Sequence, residues 1–210
     1  MYLQSLSFVG NDFVKYVLIF IFSYFVGSIP FAFIVAKKVK NIDIRYAGEG
    51  NVGSRNVLHT IGKSYGILVG ILDFSKGISI SLLCLWLKLP LTMTFIAGFF
   101  LILGHGFPIF LKFRGGKGAA AALGFLCGLF PLPTLSALLL SLVLFSFRRR
   151  FHFAFGIGMA SLPILWMPIF KNSLKEILLT VILIFLLGVK RVIDEPHMRR
   201  VKEESGWDKG

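Results

Sequence analysis

Between Phe13 and Val189 the sequence is a succession of apolar runs, each closed by a short basic or turn-forming connection. A bilayer core about 30 Å thick takes about 20 apolar residues per helix. The runs are Phe13 to Ala36, Tyr65 to Leu87, Leu89 to Leu111, Ala119 to Phe130, Pro133 to Phe147, Phe151 to Phe170 and Leu174 to Val189. The fourth and fifth are short, and Pro131-Leu132-Pro133 between them is predicted to be a tight turn. If that pair is a hairpin that does not cross, five spans replace seven. The expected fold is all-α: a polytopic membrane protein of about seven transmembrane helices, with residues 1–210 forming one integral membrane domain. At 56% hydrophobic residues the chain exceeds the usual apolar share of about 45–50%, and the excess is surface for lipid.

The charges set the orientation. The chain carries a net charge of +13 on only 16% charged residues, so the cations are concentrated. Segment 37–64 holds Lys37, Lys38, Lys40, Arg45, Arg55 and Lys63; segment 112–118 holds Lys112, Arg114 and Lys117. Arg148, Arg149 and Arg150 follow, and the tail 190–210 holds Lys190, Arg191, Arg199, Arg200, Lys202 and Lys209. The connections between these have only Lys88, Lys171 and Lys175. Rich and poor connections alternate, so the positive-inside rule puts the N-terminus outside and the C-terminus in the cytoplasm. Cations placed this way are topology determinants and exclude nucleic acid as the partner they serve. Residues 1–12 lack the basic start of a signal peptide. Cys84 and Cys127 lie inside apolar runs, with no second Cys or His at metal-ligand spacing. No internal repeat is visible, which argues against a transporter built from duplicated halves.

Two cytoplasmic loops carry the chemistry. The first, Asp43 to Asn56, contains Gly48, Gly50, Gly53, Asn51, Asn56, Arg45 and Arg55. It reads either as a flexible connector or as a cradle in which backbone amides and arginine forks meet phosphate oxygens. The second runs from His105 to Ala122, where Gly115-Gly116-Lys117-Gly118 leads straight into an alanine-rich helix start. Free amides, the positive end of a helix and a lysine together favour an anion. It is not a Walker loop, because no Ser or Thr follows Lys117 to hold magnesium. Within the second run, Asp73 and Lys76 share a helix face, where a carboxylate and an ammonium in lipid are costly unless paired. They are expected to form a structural ion pair. His105, near the end of the third run, is either a structural hydrogen-bonder or a catalytic group. The chain has no His-x4-Asp acyltransferase signature, no His-Glu-x-x-His and no Gly-x-Ser-x-Gly.

In this order the motifs resemble the bacterial acyl-phosphate:glycerol-3-phosphate acyltransferase family. The resemblance runs from Gly27-Ser28-Ile29-Pro30-Phe31 through Asp43-Ile44-Arg45, Gly48-x-Gly50-Asn51-Val52-Gly53, Asn56-Val57-Leu58, Gly62-Lys63 and Asp73-Phe74-x-Lys76-Gly77. It is strongest at Gly104-His105-x-x-Pro108-x-Phe110 and Lys112-Phe113-x-Gly115-Gly116-Lys117-Gly118. It implies seven spans, an outside N-terminus and a cytoplasmic active site in the cell membrane. It also implies transfer of an acyl group from acyl-phosphate to the 1-hydroxyl of glycerol-3-phosphate, giving lysophosphatidic acid. No metal and no cofactor are implied, and a soluble acyl-phosphate synthase is the implied partner. By position, Lys117, Asn51, Asn56 and His105 are the implied catalytic residues. Arg45, Gly50, Gly53, Arg55, Gly115, Gly116 and Gly118 would bind phosphate, with Arg45, Asn51 and Asn56 in one pocket and the amides of Gly115 to Gly118 on the anion.

The sequence departs from the family pattern at Glu49, which stands where a serine is usual, at Arg55, and at His59, near the place of a common arginine. Arg55 is the cation placed to pair with Glu49. No Ser or Thr lies between Phe147 and Ala160, and the tail reads Lys190-Arg191-Val-Ile-Asp194-Glu195-Pro-His197. These departures leave open a diverged membrane paralogue, either non-catalytic or acting on a different phosphorylated ligand.

Overall fold

The computed structural model describes residues 2–148 and 151–207, with side chains for 12–147 and 153–207. Arg149, Arg150 and Lys209 of the basic connections lie outside the described residues. The described residues are helical and contain no strand. The elements are α1 (Tyr2–Ser28), α2 (Phe31–Lys40), a 3-10 turn at Ile44–Tyr46, α3 (Ser54–Thr60), α4 (Lys63–Trp86) and α5 (Leu91–Gly106). A second 3-10 turn at Ile109–Leu111 leads to α6 (Ala119–Leu129), α7 (Pro131–Arg148) and α8 (Phe151–Ser161). A π turn at Leu162–Trp166, α9 (Met167–Ile169) and α10 (Leu174–Ser205) complete the chain. Asp12–Lys40, Lys63–Trp86 and Leu91–Leu111 are long and apolar enough to cross a bilayer; Ala119–Leu129, Pro131–Phe147 and Phe153–Ile169 are shorter apolar helices.

Three local expectations are revised. Pro131-Leu132-Pro133 is not a separate turn: Pro131 opens α7, and the break is the single residue Phe130 (φ −131°, ψ 69°). Proline is tolerated in a first helical turn because the amides there have no intrahelical partner. The loop 43–56 is partly ordered, since its last residues start α3. The polar tail is also helical. α10 runs unbroken for 32 residues, opened by a capping box between Ser173 and Glu176 and closed at Gly206 with φ +68°.

The bundle is held by close backbone crossings. α1 lies against α5, and α4 against α6. A Cβ added at Gly27 would strike the Leu101 carbonyl, and one at Gly104 the Tyr24 carbonyl. Gly77 and Ala121, and Gly124 and Phe74, repeat the arrangement between α4 and α6. Lipid supplies no hydrophobic drive between helices, so association rests on packing that small residues permit. Around these crossings sits a core that includes Ile80, Leu101, Phe125, Leu126 and Leu162.

Lys76 ties α4 to the end of α1. Its ammonium donates to the carbonyls of Gly27 (3.0 Å) and Ile29 (3.2 Å), on either side of the last α1 residue, Ser28. The same Nζ lies 2.9 Å from Asp73 Oδ1. The positive charge thus meets both a carboxylate and the negative end of a helix.

Candidate active site

The 43–56 loop is shaped by one buried amide. Asn56 donates to the carbonyls of Ile44 (3.2 Å), Ala47 (2.9 Å) and Asn51 (3.0 Å), and accepts from the Glu49 amide (3.1 Å) and the Thr60 hydroxyl (3.0 Å). With φ of +61° and +70°, Gly48 and Gly50 supply the left-handed turns this path requires. At the loop's start, Asp43 receives the Arg45 guanidinium at 2.6 Å. Burial pushes the Asp43 carboxyl up, but the hydrogen bonds and charge of Arg45 outweigh it and hold the group below its ordinary value.

The turn-rich segment 49–53 lies between two cavities. Glu49, Asn51 and Gly53 face a cavity of about 360 Å³, while Gly50 and Val52 face a neighbouring cleft of about 240 Å³.

The larger cavity is amphiphilic. Its polar lining is Glu49, Asn51, Arg55, Asp73, His105, Lys117 and Arg191. Its apolar lining includes Leu123 of α6, Phe155 and Met159 of α8, and Ile184 and Leu187 of α10. Arg55 and Glu49 are paired at 2.6 Å, with the carboxylate almost wholly enclosed. Asn51 and Asp73 both line this cavity; Asn51 Oδ1 has no hydrogen-bond partner among the described residues, and Asp73 Oδ1 is held by the Lys76 ammonium at 2.9 Å. His105 Nδ1 is 3.6 Å from Asp73 Oδ1, beyond hydrogen-bond range. Burial, first, and then the charges of Arg191, Lys202 and Arg55 pull the Lys117 ammonium below the ordinary lysine value, while Glu49 opposes them.

The smaller cleft is the more polar of the two. Arg45, Arg114, Asp194 and His197 line it together with Gly50, Gly115 and Phe107. Arg45 Nη1 is anchored on the Leu111 carbonyl at 3.0 Å. His197 Nε2 lies 2.9 Å from the Arg45 carbonyl, so this nitrogen carries the proton, because a carbonyl only accepts.

The expected single pocket is therefore two. Asn51, Gly53, Arg55, Lys117, Gly118 and His105 share the amphiphilic cavity. Arg45, Gly50 and Gly115 belong to the polar cleft, and Asn56 lines neither cavity, its amide being spent on the loop. The expectation that the amides of Gly115 and Gly116 hold an anion is also revised. They donate to the carbonyls of Gly106 and His105, both at 3.1 Å. These glycines are needed for space: a Cβ at Gly116 would strike the Val52 carbonyl and His105 Nε2. What remains for an anion is the Lys117 ammonium and the first turn of α6, reached through Gly118 at φ +81°.

The tail supplies groups that the sequence marks only as a departure from the family pattern. Arg191 reaches the amphiphilic cavity, and Asp194 and His197 reach the polar cleft. Lys190 pairs with Asp194 and lies 4.7 Å from the centre of the Phe107 ring. Val201 packs on Gly50, and Ser205 donates to the Gly48 carbonyl at 2.8 Å. The signal was present as helical spacing, since Asp194, Met198 and Val201 recur at steps of three and four.

The chain matches the family described as glycerol-3-phosphate acyltransferase over residues 17–195. Glycerol-3-phosphate acyltransferase 4 of Dehalococcoides mccartyi (strain CBDB1) is 41% identical over 142 residues, which are 68% of this chain and 61% of that protein. Glycerol-3-phosphate acyltransferase 5 of Dehalococcoides mccartyi (strain ATCC BAA-2266 / KCTC 15142 / 195) is 40% identical, and the chain spans 63% of its length. The glycerol-3-phosphate acyltransferase of Shouchella clausii is 38% identical over 79% of this chain and 83% of its own length. Among solved structures, PlsY, an integral membrane glycerol 3-phosphate acyltransferase in its glycerol 3-phosphate form, shares the fold with a TM-score of 0.78 at 28% identity, covering 92% of this chain and 94% of that one. With a family match across 17–195 and a shared helical membrane fold, the chain belongs to the glycerol-3-phosphate acyltransferase family.

Proposed function

We propose that the protein transfers a fatty acyl group from an acyl-phosphate to the 1-hydroxyl of glycerol-3-phosphate, releasing phosphate and lysophosphatidic acid. The observation that carries this reading is the amphiphilic cavity, lined both by the cations Arg55, Lys117 and Arg191 and by the apolar side chains of Leu123, Met159, Ile184 and Leu187. An acyl-phosphate combines the same two polarities. The polar cleft across the 49–53 strip suits a small anion, with Arg45 and Arg114 for its phosphate. Relatives named glycerol-3-phosphate acyltransferase support the acceptor.

In the step itself the acceptor hydroxyl oxygen attacks the acyl carbonyl carbon, and the bond from that carbon to the phosphate oxygen breaks. The hydroxyl proton leaves with the phosphate. Lys117 and the first-turn amides of α6 stabilise charge gathering on the departing phosphate, which is where preorganised donors accelerate acyl transfer most. The rest of the protein's contribution is positioning two anions against each other. The site faces the cytoplasm, with seven spans, an outside N-terminus and the basic connections inside. A soluble acyl-phosphate-making enzyme would supply the donor.

Protein in liposomes is expected to form lysophosphatidic acid from palmitoyl-phosphate and glycerol-3-phosphate. Folded, inserted protein that forms none refutes the reading.

Glu49 favours a second reading, a paralogue tuned to another ligand, because a carboxylate in an anion site repels a phosphate and occupies Arg55. Glu49→Ser separates the two. A raised kcat/KM marks Glu49 as a brake on the common reaction, and lost activity shows that the site is organised around the Glu49–Arg55 pair.

A further inference from the structure

The last turns of α10 grip the 43–56 loop and the helix that grows out of it. Val201 packs on Gly50, and Ser205 donates to the Gly48 carbonyl at 2.8 Å. Gly206 then turns the chain with φ +68°, and the Trp207 indole comes to rest against the loop, where a Cβ on Gly48 would lie 3.0 Å from it. Arg55 and His59, one turn apart on α3, both meet this indole. The His59 ring stands edge-on at 5.3 Å between centres, and the Arg55 guanidinium carbon lies 6.0 Å from the indole centre. Trp207 lies beyond the stretch 17–195 that matches the family, and Arg55 and His59 are departures from the pattern within it. Neither side of this contact belongs to the family pattern.

The ion pair beneath the indole is uneven. The Glu49 side chain is 1% exposed and that of Arg55 27%. A carboxylate enclosed to that degree is costly without a cation held on it. Glu49 also lines the amphiphilic cavity beside Lys117, whose ammonium feels its charge. A bare Glu49 would therefore repel the phosphate that Lys117 attracts. Its partner is the partly exposed end of a long, flexible side chain. An aromatic face within about 6 Å attracts such a cation. It also keeps water from the outer side of the pair, where a high dielectric would weaken the attraction.

We propose that Trp207 is a positioning residue that pins Arg55 on Glu49, so that the buried carboxylate is masked and the cavity admits a phosphate. The proposal rests on the reading of that cavity as a phosphate site. Trp207 does not line the cavity; it acts through Arg55. α10 then serves the cavity twice, lining it with Arg191 and fixing its charge balance from the helix end.

Two measurements on the full-length protein in detergent test this. The first needs no ligand: phenylglyoxal modification of each arginine is followed by mass spectrometry. Trp207→Ala should raise the rate at Arg55 at least about fivefold, and Trp207→Phe, which keeps an aromatic face, should hold it within about twofold of wild type. Arg45, held by Asp43 and the Leu111 carbonyl, should be unchanged in both. An unchanged rate at Arg55, or a rise that Arg45 shares, overturns the pin. The second measurement titrates dodecyl phosphate by calorimetry. Trp207→Ala should weaken its binding at least about fivefold in the wild-type background and less than about twofold in Glu49→Gln, where no charge is left to mask. Equal losses in the two backgrounds mean that the tail is merely structural and overturn the proposal, as does no loss in the first. If the wild-type protein does not bind dodecyl phosphate, the phosphate reading of the cavity fails, and the modification rates alone decide whether Trp207 pins Arg55.

Discussion

Asn56 and Lys117 are both polar, and both come from the motifs that carry the family resemblance, yet they are under opposite demands. Every polar atom of the Asn56 amide is committed to the loop it holds. Each buried partner it leaves unpaired costs about 1–3 kcal/mol. Asn56→Ala should therefore lower the melting temperature in detergent markedly. Asn56→Asp, with the same shape but an acceptor facing three carbonyls, should lower it at least as much. A melting temperature unchanged in both would remove the clamp role and return Asn56 to direct chemistry. Lys117 is held instead in an uncomfortable state, its ammonium half-enclosed and pulled below the ordinary lysine value. The charged form is the one that meets phosphate, so kcat/KM should fall on the alkaline side at a pH below that of an ordinary lysine. Lys117→Arg should carry that limb upward, because arginine does not deprotonate in this range. The stability sign is opposite: the folded state disfavours this proton, so the lysine's contribution to stability rises as pH climbs through its lowered pKa. An alkaline limb that does not move in Lys117→Arg would remove the lysine from the phosphate site.

Among the helices, the decisive feature is where glycine lets backbones touch. At Gly77 a Cβ would strike the Ala121 carbonyl, whereas at Gly188 it would meet nothing within 4 Å among the described residues. Gly77→Leu should thus prevent α4 and α6 from closing and reduce the yield of folded protein, while Gly188→Leu leaves the melting temperature unchanged. Size-exclusion and thermal profiles of the two variants check this directly. Equal behaviour would mean that the α4–α6 crossing is not set by that glycine. The same contrast explains what was readable along the chain. Apolar runs and their order are visible as composition, but Gly77 and Gly188 look alike until a neighbour is placed beside each. Pro131 was likewise misplaced as a turn, because proline stops a helix and starts one equally well, and only the path of Phe130 tells which.

At the scale of the molecule, orientation remains to be measured. With basic connections inside, and with Cys84 and Cys127 replaced by serine, a cysteine at Lys175→Cys should react with an impermeant maleimide in intact cells, and one at Lys63→Cys only after permeabilisation. The reverse pattern would invert the topology. The helical membrane fold was determined by the sequence alone, because the lack of water in a bilayer leaves long apolar runs little choice but to be helices. The ordered match of Gly48 to Asn56 and of Gly115 to Gly118 likewise pointed to one family. The tertiary structure decided which of those residues share a cavity. It put Arg45 in one cleft and Lys117 in another, with the turn-rich segment 49–53 lining both. It spent the amides of Gly115 and Gly116 on carbonyls of the α5 end, since a buried donor takes the nearest acceptor. It also brought Arg191, Asp194 and His197 to the site from the far end of the chain. Local pattern sets what each segment becomes, whereas which side chains meet depends on where helices cross, and that is settled only when all of them pack together.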